Sequence, residues 1–299
     1  MPAPPDLTPL FQWYADHARD LPWRRPETTP WGVLVSEVML QQTPVNRVLP
    51  AWHAWMERWP TPADLAGDTE AEAIRMWHRL GYPRRALRLH QCARALTERH
   101  DGAIPRDVGA LLALPGIGAY TARAVAAFAY RQRQPVVDTN VRRVVARVVD
   151  GRPDGGATTA PGDLAAAERL LPDEPEQAAR LSVAIMELGA LVCTARNPDC
   201  GACPLSALCA WRASGRDLPE GPTRRPQRYA GTDRQVRGLI MAVLRDGAGP
   251  VDQDRIDVVW YDDAQRSRAL ACLVADGLAV RLHGDRYALP GANNSGAYH

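Results

Sequence analysis

Four of the chain's six cysteines, Cys193, Cys200, Cys203 and Cys209, lie within 17 residues, separated by six, two and five residues. Residues 1–13 lack a basic segment followed by an apolar one, so no export signal is read and the chain is expected in the cytoplasm. Thiols stay reduced there, which makes metal ligation a better use of these cysteines than disulfides. Four thiolates suit either zinc or a [4Fe–4S] cluster. A zinc ribbon usually splits its ligands into two distant Cys-x2-Cys pairs. Here they form one tight spiral with a single x2 pair, which favours the iron–sulfur cluster. Cys92 and Cys272 fall on apolar helix faces and are expected as packed thiols.

Two carboxylates are candidates for proton transfer or charge stabilisation. Glu37 sits in Ser36-Glu37-Val38-Met39-Leu40-Gln41-Gln42-Thr43, preceded by Val33, Leu34 and Val35. On the buried side of such a helix its carboxyl loses water, and desolvation lifts its pKa towards the working range of a general acid. On the polar side it is an ordinary solvated glutamate. Gln41, Gln42 and Thr43 can hydrogen-bond base edges or wedge into a stack, or else form a polar helix end. Asp138, in Val136-Val137-Asp138-Thr139-Asn140, stands where an N-cap is expected; the alternative is a carboxylate held where cationic charge develops. Upstream, Leu114-Pro115-Gly116-Ile117-Gly118 joins a helix at 108–114 to another beginning near 119. Gly116 and Gly118 either let backbone N–H groups approach a phosphate or make an ordinary turn. The absence of a preceding strand and of a third glycine argues against dinucleotide binding. Phosphate contact without base reading suits a protein that grips a nucleic-acid backbone.

These groups need a helical frame, and the pattern supplies one. Apolar residues recur at helical spacing over 70–77, 84–99, 120–130 and 140–149, while 6 % aromatics and short β-branched runs argue against a large sheet. A length of 299 residues, 46 % hydrophobic and 23 % charged, describes a globular chain that leans towards two domains, and no run approaches the ~18 apolar residues of a membrane span. The net charge of +2 is too mild to indicate nucleic acid by itself. All 36 basic residues are arginine, so no lysine amine is present and any mechanism through a lysine imine is excluded. The expected organisation is a mainly α body over 1–214 that includes the cysteine loop 193–209, a basic linker over 215–231, a small unit over 232–290 and a disordered tail over 291–299. Helices at 234–244 and 264–276 followed by a strand–turn–strand pattern at 279–289 suggest a winged-helix-like unit. Between 212 and 237 seven arginines face three acids, a local +4 that reads as a solvated linker or a phosphate-contacting segment.

The runs SEVMLQQT (36–43), Leu80-Gly81-Tyr82, LPGIGAYTA (114–122), VVDTNVRRV (136–144) and MELGALVC (186–193), followed by the four cysteines, together resemble the adenine glycosylases of the MutY family. These are helix-hairpin-helix DNA glycosylases with an iron–sulfur loop. The resemblance covers residues 6–212 and implies two helical lobes that grip DNA, with adenine flipped out of the stack. Breaking an adenine N-glycosidic bond wants an acid at the base and a negative group at the sugar, as in glycoside hydrolysis. By resemblance, Glu37 protonates adenine N7, Asp138 stabilises the oxocarbenium ion, Asn140 orients groups around the sugar, and Tyr120 hydrogen-bonds the catalytic glutamate. Trp23, Arg24 and Glu187 line the adenine pocket. Gln42 and Tyr82 probe the stack around the opposite base, Thr43 hydrogen-bonds near it, and Gln41, Gly116 and Gly118 contact DNA. Relatives that also cut the strand carry lysine where Tyr120 stands, so a monofunctional hydrolase is expected.

Two departures qualify the resemblance. Pro83 replaces a second tyrosine common in the family, and residues 232–290 do not carry the Nudix-like domain with which many members recognise 8-oxoguanine. The expected partner is double-stranded DNA containing A:8-oxoguanine or A:G mispairs, bound by a monomer with no membrane association. A thymine glycosylase acting on G·T mismatches is the near rival; the QQT run with Arg24 and Glu187 favours adenine. A non-catalytic iron–sulfur DNA-binding protein is the rival outside enzymes, and retention of both carboxylates speaks against it.

Overall fold

The computed structural model describes residues 6–156, 160–215 and 229–292. Most of the 215–231 linker and residues 293–299 of the tail lie outside the described residues. The described helices are, in chain order, α1 (Thr8–His17), α2 (Pro30–Leu40), α3 (Val45–Arg58), α4 (Pro62–Gly67), α5 (Glu70–Trp77), α6 (Arg84–His100), α7 (Val108–Leu112), α8 (Ala119–Tyr130), α9 (Thr139–Val148), α10 (Pro161–Leu170), α11 (Pro175–Leu191) and α12 (Ala210–Ala213). The chain continues through α13 (Asp233–Asp246), β1 (Val251–Asp252), α14 (Gln253–Asp257), α15 (Asp263–Ala275), β2 (Val280–Leu282) and β3 (Arg286–Ala288). Helix starts follow local chemistry. Thr61 and Asp64 form a capping box at α4, and Thr69, Asp138 and Asp262 accept backbone N–H bonds at α5, α9 and α15.

The fold divides into two compact units. The first comprises Met1–Leu34, Arg106–Leu112 and Gly118–Pro222. In it α9 packs on α11, α10 and α12, and α1 packs on α11. Val141, Val144, Val145 and Val148 form one apolar stripe of α9, and they share a core with Leu181, Ile185 and Leu188 of α11.

The second unit comprises Val35–Pro105, Ala113–Ile117 and Thr223–His299. Here α6 packs on α4 and α5, and α5 on α3. Trp55 meets Trp59 and Trp77 edge-on at 4.8 and 5.4 Å, and Trp77 Nε1 donates to the Gly81 carbonyl at 2.9 Å. The same ring therefore fills the core and ties down the turn before α6.

The C-terminal residues belong to this second unit. Their helices α13 and α15 pack together, and β1, β3 and β2 form an antiparallel sheet in that order, with Val251 and Arg281 both opposite Tyr287. The two longer helices and the hairpin correspond to patterns visible in the sequence. The two-residue β1 and five-residue α14 are too short to show a period. Cys92 is buried as expected, and burial pushes its thiol up to about 12. Cys272 is exposed instead: α15 buries Arg266, Ala269, Leu270 and Leu273, and that spacing turns position 272 outward.

Trp77→Ala is expected to cost about 3–5 kcal/mol of unfolding free energy in a urea titration. Leu112→Ala, at a partly exposed position, is expected to stay within about 0.5 kcal/mol.

Candidate active site

Asp138 precedes α9, and both its oxygens are engaged. Oδ1 accepts from the Val141 N–H at 2.7 Å, and Oδ2 accepts from Asn140 Nδ2 at 3.0 Å. The N-cap expectation is met. Burial raises its pKa, opposed by the hydrogen bonds from Val141 and Asn140. The Asn140 amide is oriented in turn: its Oδ1 accepts from Arg143 Nη2 at 2.7 Å, and Arg143 also donates to the carbonyls of Gly189 and Cys193. Gly189 is necessary here, because a Cβ at that position would lie 2.7 Å from Asn140 Cβ. In the same unit Tyr120 stands on the first turn of α8, packed against Ala124, Ala127 and Val136. Gly118 caps that helix in extended conformation.

Arg24 and Glu187 come together. Trp23 is buried, and Arg24 Nη2 donates to Glu187 Oε2 at 2.9 Å. Arg19, which the sequence reading did not single out, adds a two-pronged contact to Glu187 at 2.7 and 2.8 Å and a backbone N–H bond at 3.0 Å. Glu187 is 0 % exposed. Burial pushes its carboxyl up, but the hydrogen bonds from Arg19 and Arg24 prevail and hold it at about 2. Both oxygens are thus committed to anchoring the residues after α1. The buried Arg24 Nη1, which has no protein acceptor, is the group left to meet a ligand.

In the second unit, Glu37 is 6 % exposed and follows Val35 and Ser36 and precedes Val38 and Met39, all buried on α2. The solvated-glutamate reading is thereby set aside. The QQT run turns sharply after α2: Gln42 is exposed and left-handed, φ 57°. Thr43 is buried, and its hydroxyl lies 3.3 Å from the Leu80 carbonyl and 2.9 Å from Arg85 Nη2. That hydroxyl joins two turns, which leaves the exposed Gln42 amide as the group of this run most open to a partner. Tyr82 is 49 % exposed and also left-handed, φ 49°.

Arg85 links these turns. Its Nη1 donates to the carbonyls of Val38, Met39 and Gln41, its Nη2 donates to Gly81 O and Thr43 Oγ1, and its guanidinium lies 5.6 Å from the Tyr82 ring. Burial lowers its pKa to about 10, so it remains a cation at neutral pH. Sequence inspection had no means of selecting Arg85 among 36 basic residues that are all arginine. Gly116 is left-handed at φ 76°, and a Cβ there would come within 2.7 Å of Arg88 Cβ, so the turn requires glycine.

The four predicted ligand cysteines line one recess, together with Arg147, Leu188 and Trp211. Arg147 is 1 % exposed; it donates to Cys193 Sγ at 3.3 Å and to the Thr194 and Ala195 carbonyls at 2.7 and 3.1 Å, and it lies 4.9 Å from the Trp211 ring. A guanidinium sunk beside sulfur fits a site whose thiols are ionised and metal-bound, because the negative charge of the ligands offsets the cost of burying the cation. Burial first, and the neighbouring cysteines with it, raises the Cys200 thiol and pushes Cys203 up to about 11, so ligation must displace their protons.

The Glu187 anchor has a defined pH dependence. Its folded pKa of about 2 lies below the ordinary glutamate value of 4.5, so its stabilisation is complete above 4.5 and is lost as pH falls through about 2. Glu187→Gln is expected to cost about 2–3 kcal/mol at pH 7. In urea titrations the difference from wild type should shrink steadily as pH is lowered from 4.5 towards 2.

Residues 35–157 match the HhH-GPD superfamily of base excision DNA repair proteins, and residues 193–209 match the iron–sulfur binding domain of endonuclease III. The chain is 56 % identical over 285 residues to the adenine DNA glycosylase of Mycobacterium tuberculosis, covering 95 % of this chain and 93 % of that protein. It is 57 % identical over 290 residues to the adenine DNA glycosylase of Mycolicibacterium smegmatis, covering 96 % and 97 %. The human adenine DNA glycosylase is 41 % identical over 68 % of this chain and 38 % of its own length. Among solved structures, a thermostable thymine-DNA glycosylase superposes with a TM-score of 0.62 at 26 % identity, over 70 % of this chain and 95 % of that one. The four-cysteine loop is therefore a [4Fe–4S] site rather than a zinc site. The chain belongs to the adenine DNA glycosylase family, on the helix-hairpin-helix fold.

Proposed function

We propose that this chain is a monofunctional base-excision DNA glycosylase that hydrolyses the N-glycosidic bond of adenine mispaired with 8-oxoguanine or guanine. The observation that carries the reading is Glu37, a carboxyl buried to 6 % exposure on an almost wholly buried helix. A carboxyl set among buried aliphatic neighbours on a helix is a group that general acid catalysis can use once a base is brought to it. Glu37 delivers that proton to N7 of the departing adenine. Asp138 supplies the negative charge at the sugar. Partly buried and held by two donors, it stabilises an oxocarbenium ion more strongly than a solvated carboxylate would. Asn140 keeps Asp138 oriented. Trp23 stacks on the flipped base, and Arg24 Nη1 is the donor that meets it.

Gln42 and Tyr82 enter the stack left by the extruded nucleotide, and such wedges offset the few kcal/mol of unstacking. Gly116 and Gly118 contact phosphate through their backbone N–H groups. The [4Fe–4S] cluster, held by Cys193, Cys200, Cys203 and Cys209, supplies charge and shape to its loop. The protein acts as a monomer in the cytoplasm. Among the described residues no helix is long and apolar enough to cross a membrane. No lysine exists to form an imine, which supports a hydrolase without a lysine-dependent lyase step.

The deciding assay is single-turnover cleavage of A:8-oxoguanine, A:G, T:G and A:T duplexes, developed with alkali. Wild type is expected to release adenine from the first two. Glu37→Gln is expected to lose about 10²–10⁴ in rate with duplex binding retained. Preferential release of thymine from T:G would transfer the reading to thymine excision.

The pH–rate profile provides a second check. Asp138 must be ionised, and its pKa is raised above 3.8. The rate should therefore fall on the acid side at a pH higher than an ordinary aspartate would give, and Asp138→Asn should abolish that limb together with most of the rate.

A further inference from the structure

Residues 229–292 carry eight arginines and nine aspartates. A net negative segment is poorly suited to gripping phosphates. Its contacts lie instead on the turn at 78–82, between α5 and α6. That turn holds three left-handed residues, His78 (φ 46°), Gly81 (φ 83°) and Tyr82 (φ 49°). Two of them are not glycine, so the turn is strained and needs outside contacts to stay as it is.

The C-terminal residues provide those contacts. Arg245 Nη1 donates to the His78 carbonyl at 2.6 Å, while Arg75 donates back to the carbonyls of Arg245 and Gly247 at 3.3 and 3.2 Å. The C-terminal ends of α5 and α13 thus each receive a guanidinium from the other, as the negative end of a helix dipole favours. At the start of α6, Arg84 donates to Asp276 Oδ1 at 3.2 Å, and Asp276 Oδ2 accepts from Arg237 of α13. Arg234, on the first turn of α13, lies 5.3 Å from the centre of the Tyr82 ring, which Arg85 also approaches. The half-exposed tyrosine is held by two guanidinium groups, one from α6 and one from the C-terminal unit.

We propose that the C-terminal unit clamps the 78–82 turn, with Arg234 and Arg245 as positioning residues for Tyr82, and so sets how strongly the enzyme distinguishes the base opposite adenine. This inference rests on the reading of Tyr82 as the wedge. A ring whose orientation is fixed before DNA arrives loses less freedom on insertion and tolerates fewer geometries of the opposite base. The small unit thereby contributes to opposite-strand selectivity through the wedge, without touching the base itself.

The test is a double-mutant cycle in the full chain with matched iron content and melting temperature. It reads the ratio of single-turnover adenine release opposite 8-oxoguanine to that opposite guanine. Arg234→Ala is expected to lower this ratio about three- to tenfold, the scale of a partly desolvated cation–π contact. Arg245→Ala should act in the same direction, Arg234→Lys should recover part of the loss, and the hairpin variant Arg281→Ala should match wild type. Tyr82→Ala should lower the ratio at least as far, and adding Arg234→Ala to it should change little further. Release from a duplex with 2-aminopurine beside the opposite base adds a stacking readout, which should report weaker unstacking in Arg234→Ala. If Tyr82→Ala has an effect but both arginine variants match wild type, or if the effects add, the clamp is wrong while the wedge stands. An ineffective Tyr82→Ala would remove the wedge reading and the clamp with it.

Discussion

Burying a guanidinium is costly unless most of its five donors find acceptors in the right directions, and Arg147, Arg143 and Arg85 each place several of theirs on carbonyls, side-chain oxygens or sulfur. Arg147 spreads its donors over Pro153, Thr194, Ala195 and the sulfur of Cys193. Arg143, one turn earlier on α9, joins Asn140 to the carbonyls of Gly189 and Cys193. The same helix therefore carries Asp138 at its start, the orienting network at its middle and a cysteine-loop contact near its end. Arg85 does the equivalent work in the second unit by tying the turn after α2 to the turn before α6. A fork of fixed planar donors is needed at each place, which an ammonium cannot replace, and a chain without lysine has the suitable residue throughout.

The buried carboxylates illustrate how surroundings assign different work to the same functional group. Glu187 is held by Arg19 and Arg24 and stays ionised far into acid, so it is an anchor. Asp138 receives neutral donors from Val141 and Asn140, and burial raises its pKa, which keeps an anion under tension where positive charge would be welcome. Glu37 is surrounded along its helix by buried aliphatic residues. The three differ in partners, not in chemistry.

The C-terminal residues belong with the second unit because the carbonyls and rings they engage are those of α5, α6 and the turn between them. The matches to the mycobacterial relatives span 95 % or more of this chain, whereas the match to the human protein spans 68 %. The mycobacterial matches thus extend over more of this chain than the human one does.

Spacing along the chain marked the helices over 70–77, 84–99, 120–130 and 140–149, the four-cysteine loop, the glycine turn at 116–118 and the N-cap at Asp138, because each depends on neighbours within a few residues, whereas Glu37 stayed open between a buried and a solvated face. Val141, Val144, Val145 and Val148 mark a buried face without reference to anything else. Pairings across long separations had no such signature. Arg19 with Glu187 spans 168 residues, Arg75 with the Arg245 carbonyl 170, and Arg85 with Gln41 44. The exposed Cys272 and the short β1 likewise depended on packing rather than on pattern. Which arginine becomes buried, whether Thr43 and Glu187 keep free hydrogen-bonding capacity, and where the C-terminal unit rests were decided only by tertiary structure, because burial and dielectric are properties of the assembled surroundings and not of the residue.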